Sequence, residues 1–515
     1  MNDRNLRQAT VLVVGAGIMG QGIAQVAAQA GHAVMLFDMR ASAAAQAKDK
    51  LAAQLQALAA KGKLEPDSVA QTLNRITPIA ELTEATSANL VVEAIVESCD
   101  AKRDLFRQLE SVVAPHCILA TNTSSISVTA IGNGLQHPER LVGMHFFNPV
   151  PQMKLVEVVS GLRTAPAVAD DIVALSGHWG KVAVHARSTP GFIVNRIARP
   201  FYAESLALLQ EQATTPAILD ACMRAAGFRM GPCELMDLIG HDTNLAVTQS
   251  VYEANFYDKR FVPSLVQREM VDGGLLGRKS RQGFYSYPQS AERPSSVPAV
   301  VDDLPLAEEV CVHGTGVLAD VLHGALLQAL GGAGKATPVT FSLRRQPGSL
   351  WVGLDVDGRE LRLTDGRCAT QIGAEVCVFD LPLQSLSSRV ASAHAALAWA
   401  SSARASAAWV SQATRWLHVL GFDPQQVADT PGLVVARTIA MLINEASDAV
   451  HHGVCTAPAA DAAMKLGVNY PAGPFEWLSV CGAAPVCELL DALDAHYRGE
   501  RYRVSAGLRQ RLWLA

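Results

Sequence analysis

The chain has 515 residues, too many for one ordinary hydrophobic core, so several domains are expected. An apolar fraction of 49% and a charged fraction of 18% exclude a disordered chain. The net charge of −5 gives no reason to expect nucleic acid or a membrane surface as a partner.

The ten cysteines are scattered and include no C-x-x-C pair, which indicates reduced thiols. No H-E-x-x-H or similar motif indicates a metal site. The sequence begins without a signal-peptide layout, and it has no run of 18 or more apolar residues. We therefore expect a cytoplasmic protein without metal or membrane.

The N-terminal sequence predicts a βαβ unit. Residues 10–14 form an apolar run, residues 18–30 have helical spacing, and residues 33–38 form a second apolar run. Residues 42–60 contain no Gly or Pro and, with 66–75, predict a helical arm. Further strand candidates are 89–96, 117–124, 140–147 and 154–159. Runs this apolar predict a parallel sheet covered on both faces.

A glycine-rich turn joins the first strand to the first helix. Gly15, Gly17 and Gly20 have the G-x-G-x-x-G spacing of a dinucleotide-binding turn, in the strand–helix context that the motif requires. Asp38 ends the second strand, where a carboxylate accepts a hydrogen bond from a ribose 2′-hydroxyl. Because a 2′-phosphate would meet like charge, NAD is predicted rather than NADP, although Arg40 is near enough to attract a phosphate.

Two blocks of sequence occur twice. TPGFIVNRIARPFYAESLALL from Thr189 aligns with TPGLVVARTIAMLINEASDAV from Thr430. MGPCELMDLIG from Met230 aligns with AGPFEWLSVCG from Ala472, at nearly the same offset. The matches predict a duplicated helical module, whose copies could pack as an internal pseudo-dimer. A homo-oligomer is the other expected assembly.

The stretch from Glu309 weakly repeats the opening βαβ unit. Gly314 and Gly316 lack a third glycine, and Asp320 puts negative charge where phosphate would sit, so no cofactor is expected there. Residues 288–305 are rich in Pro and Ser and are a linker candidate.

The predicted fold is an α/β Rossmann domain plus an all-α C-terminal domain, followed by a degenerate Rossmann-like domain and a second copy of the helical domain. The expected boundaries are 1–187 for the NAD-binding domain with its helical arm, 188–287 for the helical substrate and dimerisation domain, 306–428 for the degenerate domain and 429–515 for the second helical domain.

A histidine and a glutamate follow the dinucleotide motif. Oxidation of an alcohol needs a base, and imidazole titrates near neutral pH. His145 ends a predicted strand, at the sheet edge where ligands bind. Glu157 lies in an apolar strand, where a lone carboxylate would be costly to bury, so a pair with His145 is expected. Ser124 and Asn195 could orient the substrate oxygen. Each of the four also has an ordinary structural interpretation, and His241 is an alternative base.

Five motifs resemble the 3-hydroxyacyl-CoA dehydrogenase family, in the right order over residues 10–287. They are GAGIMGQGIAQVAAQAGH, VVEAIVE, TNTSSISVT, HFFNPVPQMKLVEVV and STPGFIVNR. The resemblance implies NAD-dependent oxidation of an (S)-3-hydroxyacyl-CoA to the 3-ketoacyl-CoA. It makes His145 the base and Glu157 its partner, with Ser124 and Asn195 completing the catalytic set.

The resemblance also implies binding residues. Those for the cofactor are Asp38, Glu97, Lys102, Ser124, Asn148 and Lys279. Those for the CoA substrate are Lys61 and Ser124, and Lys50 and Lys63 could add positive charge.

Over its full length the chain is similar to the long bacterial members of the family, including those of phenylacetate degradation that act on 3-hydroxyadipyl-CoA. A distal carboxylate would then need a partner, for which Arg196, Arg199 and Arg229 are candidates by charge alone. The alternative substrate is 3-hydroxybutyryl-CoA, in fatty-acid or butanoate metabolism. Two rival classes of protein stay open at this point: a dehydrogenase of free hydroxy acids and a non-catalytic dinucleotide-binding structural protein.

The sequence departs from the family pattern in two places. The second helical copy has Ala436 where the first has Asn195, and nothing in it corresponds to His145 or Glu157, so one active site per chain is expected. Arg281 stands in GRKSRQG where relatives commonly carry a glycine, which leaves the shape of that loop open.

Overall fold

The computed structural model describes residues 6–287, 307–331, 341–388 and 394–514. The linker candidate, 288–305, lies outside the described residues. The chain divides into two compact units, one of Met1–Arg196 with Ala449–Val468 and one of Ile197–Asp448 with Asn469–Ala515. The four predicted domain boundaries remain a prediction.

The secondary structure alternates at first and becomes helical later. The strands are β1 Val11–Val14, β2 Val34–Phe37, β3 Ile76–Pro78, β4 Leu90–Glu93, β5 Ile118–Thr121, β6 Leu141–Phe146, β7 Leu155–Ser160, β8 Val182–Arg187, β9 Glu309–His313, β10 Ser342–Gln346, β11 Gly353–Val356, β12 Arg359–Leu363, β13 Val376–Phe379, β14 Ala395–Ser401 and β15 Phe422–Gln426. The helices are α1 Ile18–Gln29, α2 Ala43–Ala60, α3 Pro66–Asn74, α4 Cys99–Glu110, α5 Val128–Ile131, α6 Pro166–His178, α7 Val194–Ile197, α8 Arg199–Gln210, α9 Pro216–Ala225, α10 Pro232–Ile239, α11 His241–Ala254, α12 Leu265–Asp272, α13 Val317–Gly331, α14 Ala369–Ile372, α15 Leu383–Ser388, α16 Ala407–Val419, α17 Val435–His451, α18 Ala457–Gly467, α19 Pro474–Cys481, α20 Ala483–Tyr497 and α21 Ala506–Leu514.

The first unit is built on an eight-stranded sheet in the order β3-β2-β1-β4-β5-β6-β7-β8. All neighbouring strands are parallel except β6 and β7. Strands β1, β4 and β5 are buried throughout, as expected of parallel strands covered on both faces. The carboxyl ends of β1, β2, β4, β5 and β6 meet at one edge, where ligands bind in open α/β sheets.

The expectation of a parallel sheet is corrected at β7. The segment 147–154 between β6 and β7 is too short for the crossover that parallel pairing requires, so the two strands form a hairpin. Strands β3 and β8 were not predicted. Strand β3 has only three residues, and the burial of β8 alternates, so neither has a long apolar run.

The second unit contains a seven-stranded sheet in the order β10-β9-β11-β12-β13-β14-β15. Strand β11 runs antiparallel to both of its neighbours, unlike any inner strand of a regular Rossmann sheet. The degenerate glycine turn precedes α13, and a side chain on Gly314 would meet the backbone of Trp351 and the side chain of Val352. These contacts agree with the structural interpretation of Gly314, whereas a Cβ on Gly316 would meet no atom within 4 Å.

The two helical modules contact each other in the second unit through reciprocal buried ion pairs. Glu204 of the first module accepts hydrogen bonds from Arg437 at 2.6 Å and Arg501 at 2.9 Å, both from the second. Arg260 of the first module donates to Glu445 of the second at 3.1 Å. Glu204 and Glu445 occupy matching positions of the repeat. This contact supports the internal pseudo-dimer, and the homo-oligomer remains a prediction.

Candidate active site

The glycine-rich turn has the backbone geometry that its sequence predicts. Gly15 has φ +105°, and a side chain there would collide with the Ala94 carbonyl. A side chain on Gly20 would collide with the Gly15 carbonyl oxygen. Gly17, the N-cap residue of α1, has no atom within 4 Å of where its Cβ would lie. Protein packing thus requires glycine at 15 and 20, whereas no protein atom imposes that requirement at Gly17, where the motif predicts close approach of the cofactor.

Alanine substitutions should separate these two roles. We expect Gly17→Ala to leave thermal unfolding unchanged and to weaken NADH binding at least 10-fold, about 1.4 kcal/mol, because the methyl group takes the space of the pyrophosphate. Gly20→Ala should lower the free energy of unfolding by roughly 1–3 kcal/mol, as overpacking does. NADH fluorescence titration and calorimetry measure the two effects, and wild-type NADH affinity in Gly17→Ala would contradict this assignment.

Asp38 follows β2 and stands beside the glycine turn. Its carboxylate accepts from the Ala16 N–H at 2.9 Å and from the Arg40 guanidinium Nε at 3.1 Å. Burial raises the pKa of Asp38, but the hydrogen bonds from Arg40 and Ala16 outweigh burial and bring it to about 2. The group is therefore anionic at neutral pH, which suits a ribose hydroxyl and opposes a 2′-phosphate. Arg40 is already engaged by this carboxylate.

A buried lysine lies at the ends of β4 and β5. Lys102 Nζ donates to Glu93 at 2.6 Å and is 3.3 Å from Glu97. Glu93 is fully buried and also accepts from the Thr121 hydroxyl at 2.7 Å. Since Lys102 is 1% exposed and the Glu97 side chain 38%, Glu97 is the better placed of the two to reach a cofactor. Sequence reasoning missed Glu93, although an acid within a buried strand is the same signal that pointed to Glu157.

Glu97 fixes the turn that carries Ser124. Its carboxylate accepts from the Thr123 hydroxyl at 2.7 Å, the Ser124 N–H at 2.9 Å and the Ser124 hydroxyl at 3.1 Å. Burial raises the pKa of Glu97, but the charge of Lys102 and these hydrogen bonds outweigh burial, so its pKa lies below the ordinary value. An anionic Glu97 thus holds Ser124 Oγ at the carboxyl end of β5.

His145 and Glu157 are brought together by the β6–β7 hairpin. They face each other in the antiparallel register, and His145 Nδ1 lies 2.6 Å from Glu157 Oε2. Both side chains are buried. Because a carboxylate only accepts, Nδ1 carries the proton, which leaves Nε2 as the available base. The rings of Phe147 and Phe192 pack against the imidazole with centroids at 4.5 and 5.9 Å.

The other oxygen of Glu157 holds the start of α7. Glu157 Oε1 accepts from the Ile193 and Val194 N–H groups at 2.9 and 3.0 Å. Asn195 is the next residue, and its Nδ2 lies 3.4 Å from the Ser124 carbonyl oxygen. One carboxylate therefore connects the imidazole to the helix that carries Asn195, and all four predicted catalytic residues lie in one compact unit.

The remaining predicted binding residues are spread more widely. Asn148 is exposed in the segment after β6, at the same sheet edge. Lys61 is the exposed C-cap residue of α2 in the helical arm. Lys279 belongs to the second unit, where it pairs with Asp242. Arg281 takes up a left-handed conformation, φ +64°, which explains why glycine suits that position. The binding roles of these residues remain predictions.

The alternative base, His241, is fully buried in the helical module. Its Nε2 lies 2.8 Å from Asp237 Oδ1, and Gln267 Nε2 lies 3.4 Å from its Nδ1. With both ring nitrogens engaged inside the module, His241 lacks the access to substrate that a base requires.

The second copy retains part of the Glu157 arrangement, which corrects the expectation that nothing there corresponds to it. Asp380 follows β13 and accepts from the N–H groups of Val434, Val435 and Ala436 at 2.9, 2.6 and 2.9 Å. Val434 and Val435 align with Ile193 and Val194, the two residues that Glu157 holds, and Ala436 aligns with Asn195. An acid at a strand end, as in VFDLP, was the signal available in the sequence. All three contacts are to backbone, and the single active site per chain remains a prediction.

The described part of the chain holds neither a group of metal-ligating side chains nor a helix that could span a membrane. Within residues 6–287, 307–331, 341–388 and 394–514, no three His, Cys, Asp or Glu side chains are grouped to hold a metal ion. None of the helices in those same ranges has the length and apolar character needed to cross a bilayer.

An imidazole oriented by a buried carboxylate can accept a proton, and the glycine turn at the same sheet edge has the spacing and backbone geometry of a dinucleotide-binding turn. These two capacities together define the class of nicotinamide-dependent dehydrogenases that act on alcohols.

Comparisons with known proteins narrow this class. Family models match residues 10–189 (3-hydroxyacyl-CoA dehydrogenase, NAD binding domain), residues 191–287 and 432–512 (its C-terminal domain) and residues 361–431 (3-hydroxybutyryl-CoA dehydrogenase reduced Rossmann-fold domain). The chain belongs to the 3-hydroxyacyl-CoA dehydrogenase family and is an NAD-dependent dehydrogenase. The predicted fold class, cofactor and reaction class are thereby confirmed.

Individual relatives match over different lengths. The 3-hydroxyadipyl-CoA dehydrogenase of Escherichia coli K12 is 41% identical over 507 residues, 98% of each chain. A probable 3-hydroxybutyryl-CoA dehydrogenase of Bacillus subtilis is 41% identical over 278 residues, 54% of this chain and 96% of its own. A crystal structure of 3-hydroxybutyryl-CoA dehydrogenase from E. coli K12 has a TM-score of 0.86 at 40% identity, covering 98% of both chains.

Proposed function

We propose that His145 is the general base of this dehydrogenase and that Glu157 orients it. The observation that carries the proposal is the 2.6 Å contact between His145 Nδ1 and Glu157 Oε2 at the ligand-binding edge of the sheet. NAD⁺, when bound, would supply the acceptor for the hydride from C3 of the substrate. His145 Nε2 takes the proton of the C3 hydroxyl, and the Glu157 carboxylate stabilises the resulting imidazolium. Ser124 and Asn195 orient the C3 oxygen.

The cofactor is proposed to bind along the turn of Gly15, Gly17 and Gly20. The free space beside Gly17 and the anionic Asp38 fit a pyrophosphate and an adenosine ribose. Three exposed apolar side chains lie within four residues after the carboxyl ends of β1, β2 and β4: Ile18, Met39 and Val96. Apolar surface at such an edge is typical of a small-molecule site. We assign the further contacts to Glu97, Asn148 and Lys279, with Lys102 acting through Glu97.

For the substrate we propose 3-hydroxyadipyl-CoA, with Lys61 near the CoA phosphates. The support is the match to a relative of that name over the full length. The structure disfavours two candidates for the distal carboxylate. Arg196 is buried beside His452, and Arg199 is buried with Thr248 and the Tyr202 ring. Arg229 is exposed. The alternative, 3-hydroxybutyryl-CoA, is favoured by the likeness to the E. coli 3-hydroxybutyryl-CoA dehydrogenase structure.

A direct comparison of the two thioesters tests the substrate. We expect kcat/KM, followed by NADH absorbance, to be at least about 10-fold higher for 3-hydroxyadipyl-CoA, since tenfold discrimination requires only about 1.4 kcal/mol. An equal or higher value for 3-hydroxybutyryl-CoA would establish the alternative. Turnover of free 3-hydroxy acids at rates similar to the thioesters would instead indicate a dehydrogenase that does not need CoA. The cytoplasmic location stays an expectation from the sequence.

A further inference from the structure

Part of the second helical module packs on the sheet of the first unit. Residues 452–467, which we call the bracing segment, include α18, and α18 packs on β7 and β8. The Arg187 N–H at the end of β8 donates to the Val454 carbonyl at 2.9 Å. Strand β7 is the strand that carries Glu157. The bracing segment therefore contacts the catalytic half of the molecule from the distant, second copy of the repeat.

The segment reaches the residues on both sides of Asn195. His452 Nδ1 lies 3.3 Å from a guanidinium nitrogen of Arg196. A Cβ on Gly467, the last residue of α18, would lie 3.1 Å from Val194 Cγ2, 2.7 Å from a Leu155 methyl and 3.7 Å from the Phe147 ring. A side chain at position 467 would therefore force a shift of the Leu155 methyl and of Val194, whereas the distance to Phe147 is an ordinary contact. Val194 is one of the two N–H donors to Glu157, and Phe147 packs on the His145 ring.

The negative charge of Glu157 also affects a thiol in the bracing segment. Burial, followed by the negative charge of Glu157, raises the pKa of the Cys455 thiol to about 12. The segment thus contacts the turn at Val194 and lies beside the Phe147 ring, and its Cys455 thiol is within electrostatic reach of Glu157.

We propose that the bracing segment positions the active site, with Gly467 as the positioning residue that lets α18 pack closely against Val194 and Leu155. The proposal rests on the catalytic roles given above to His145, Glu157 and Asn195. It assigns the second helical module a part in turnover although that module holds Ala436 where the first has Asn195. An outward shift of α18 would move α7 and loosen the two N–H contacts of Glu157.

The test is Gly467→Ala in the full-length enzyme. Gly467 does not have positive φ, and alanine favours a helix, so backbone strain does not contribute. The added methyl must displace Val194 or Leu155 by several tenths of an ångström. We expect kcat to fall by about 10-fold or more, because small displacements of catalytic groups slow the chemical step. The Kd for NADH should stay within about twofold of the wild-type value, because binding of the cofactor does not depend on these displacements. Adding Val194→Ala, which removes one of the clashing methyl groups, should recover part of kcat.

Gly177→Ala is the matched control. Gly177 lies in the last turn of α6 in the same unit, and its Cβ would meet no atom within 4 Å. We expect wild-type kcat from this variant. Wild-type kcat in Gly467→Ala, or an equal loss in both variants, would overturn the proposal. A purely structural role would lower the melting temperature of Gly467→Ala and leave kcat unchanged, which also overturns it.

A second variant covers the case in which Gly467→Ala does not fold. His452 is exposed, so His452→Ala should fold, and it removes the imidazole that contacts Arg196. We expect faster amide hydrogen exchange in the peptide that contains Val194–Ile197, together with a lower kcat. His451→Ala, at the exposed neighbouring histidine, should change neither. Unchanged exchange and kcat in His452→Ala would overturn the proposal. An inactive wild-type enzyme would instead refute the proposed function.

Discussion

Replacement of His145 by glutamine is expected to lower kcat about 10²–10⁴-fold, the range for loss of a general base. Glutamine keeps a polar side chain opposite Glu157, but it cannot take up the hydroxyl proton as Nε2 of the imidazole does. NADH formation from 3-hydroxybutyryl-CoA or 3-hydroxyadipyl-CoA at saturating concentrations measures the effect. The Kd for NADH should remain near the wild-type value, because the substitution changes none of the residues that we assign to the cofactor.

His137→Gln is the matched control for this experiment. His137 is half-exposed and paired with Glu139 at 3.1 Å, away from the β6–β7 hairpin. The His137→Gln variant should retain the wild-type kcat. A His145→Gln variant that turns over within a few-fold of wild type would remove His145 from the chemistry.

Replacement of Glu157 by glutamine is expected to be nearly as damaging, with a loss of roughly 10²–10⁴-fold in kcat, as for an orienting carboxylate in other His-dependent enzymes. The two carboxylate oxygens accept from His145 on one side and from Ile193 and Val194 on the other. An amide has one oxygen, so one of these contacts must be lost. Either the imidazole turns to the wrong tautomer, or the start of α7 is released.

Glu110→Gln controls for the loss of a buried carboxylate in the same unit. Glu110 accepts from the N–H groups of Gln136 and His137 and lies 3.5 Å from Arg140. Both variants should lose stability in thermal unfolding, and only Glu157→Gln should lose kcat. Equal kcat values in Glu157→Gln and Glu110→Gln would mean that Glu157 has only a structural role.

The parts of the site that the sequence could predict are those fixed by local pattern or by the cost of burial. The glycine spacing and the flanking apolar runs predict the βαβ unit and the edge at which Asp38 lies. The cost of burying Glu157 alone predicts its pair with His145, and the register places the two residues opposite each other. The same reasoning applied to NLVVEAIV would have found the Glu93–Lys102 pair.

Other features were not predictable because they depend on contacts between distant segments. Strands β10 and β12 escaped prediction because SLRRQ and RELRL are rich in arginine and lack apolar runs, whereas β13, VCVF, was missed although it is an apolar run. The reciprocal pairs of Glu204 and Glu445 require knowledge of how the modules meet. Gly467 appears in the sequence as an ordinary helix end, and its role follows only from the side chains packed around it.

The contact between Arg187 and Val454 joins a strand that is synthesised early to a segment that is synthesised late. The strands of the first sheet emerge from the ribosome early and consist largely of local βαβ pairings, which form quickly. The residues that pack on β7 and β8 are synthesised long afterwards, near the C-terminus. From the proposed role of the bracing segment, we expect a nascent chain to bind dinucleotide before it turns over substrate, so that activity lags behind cofactor affinity during synthesis and refolding.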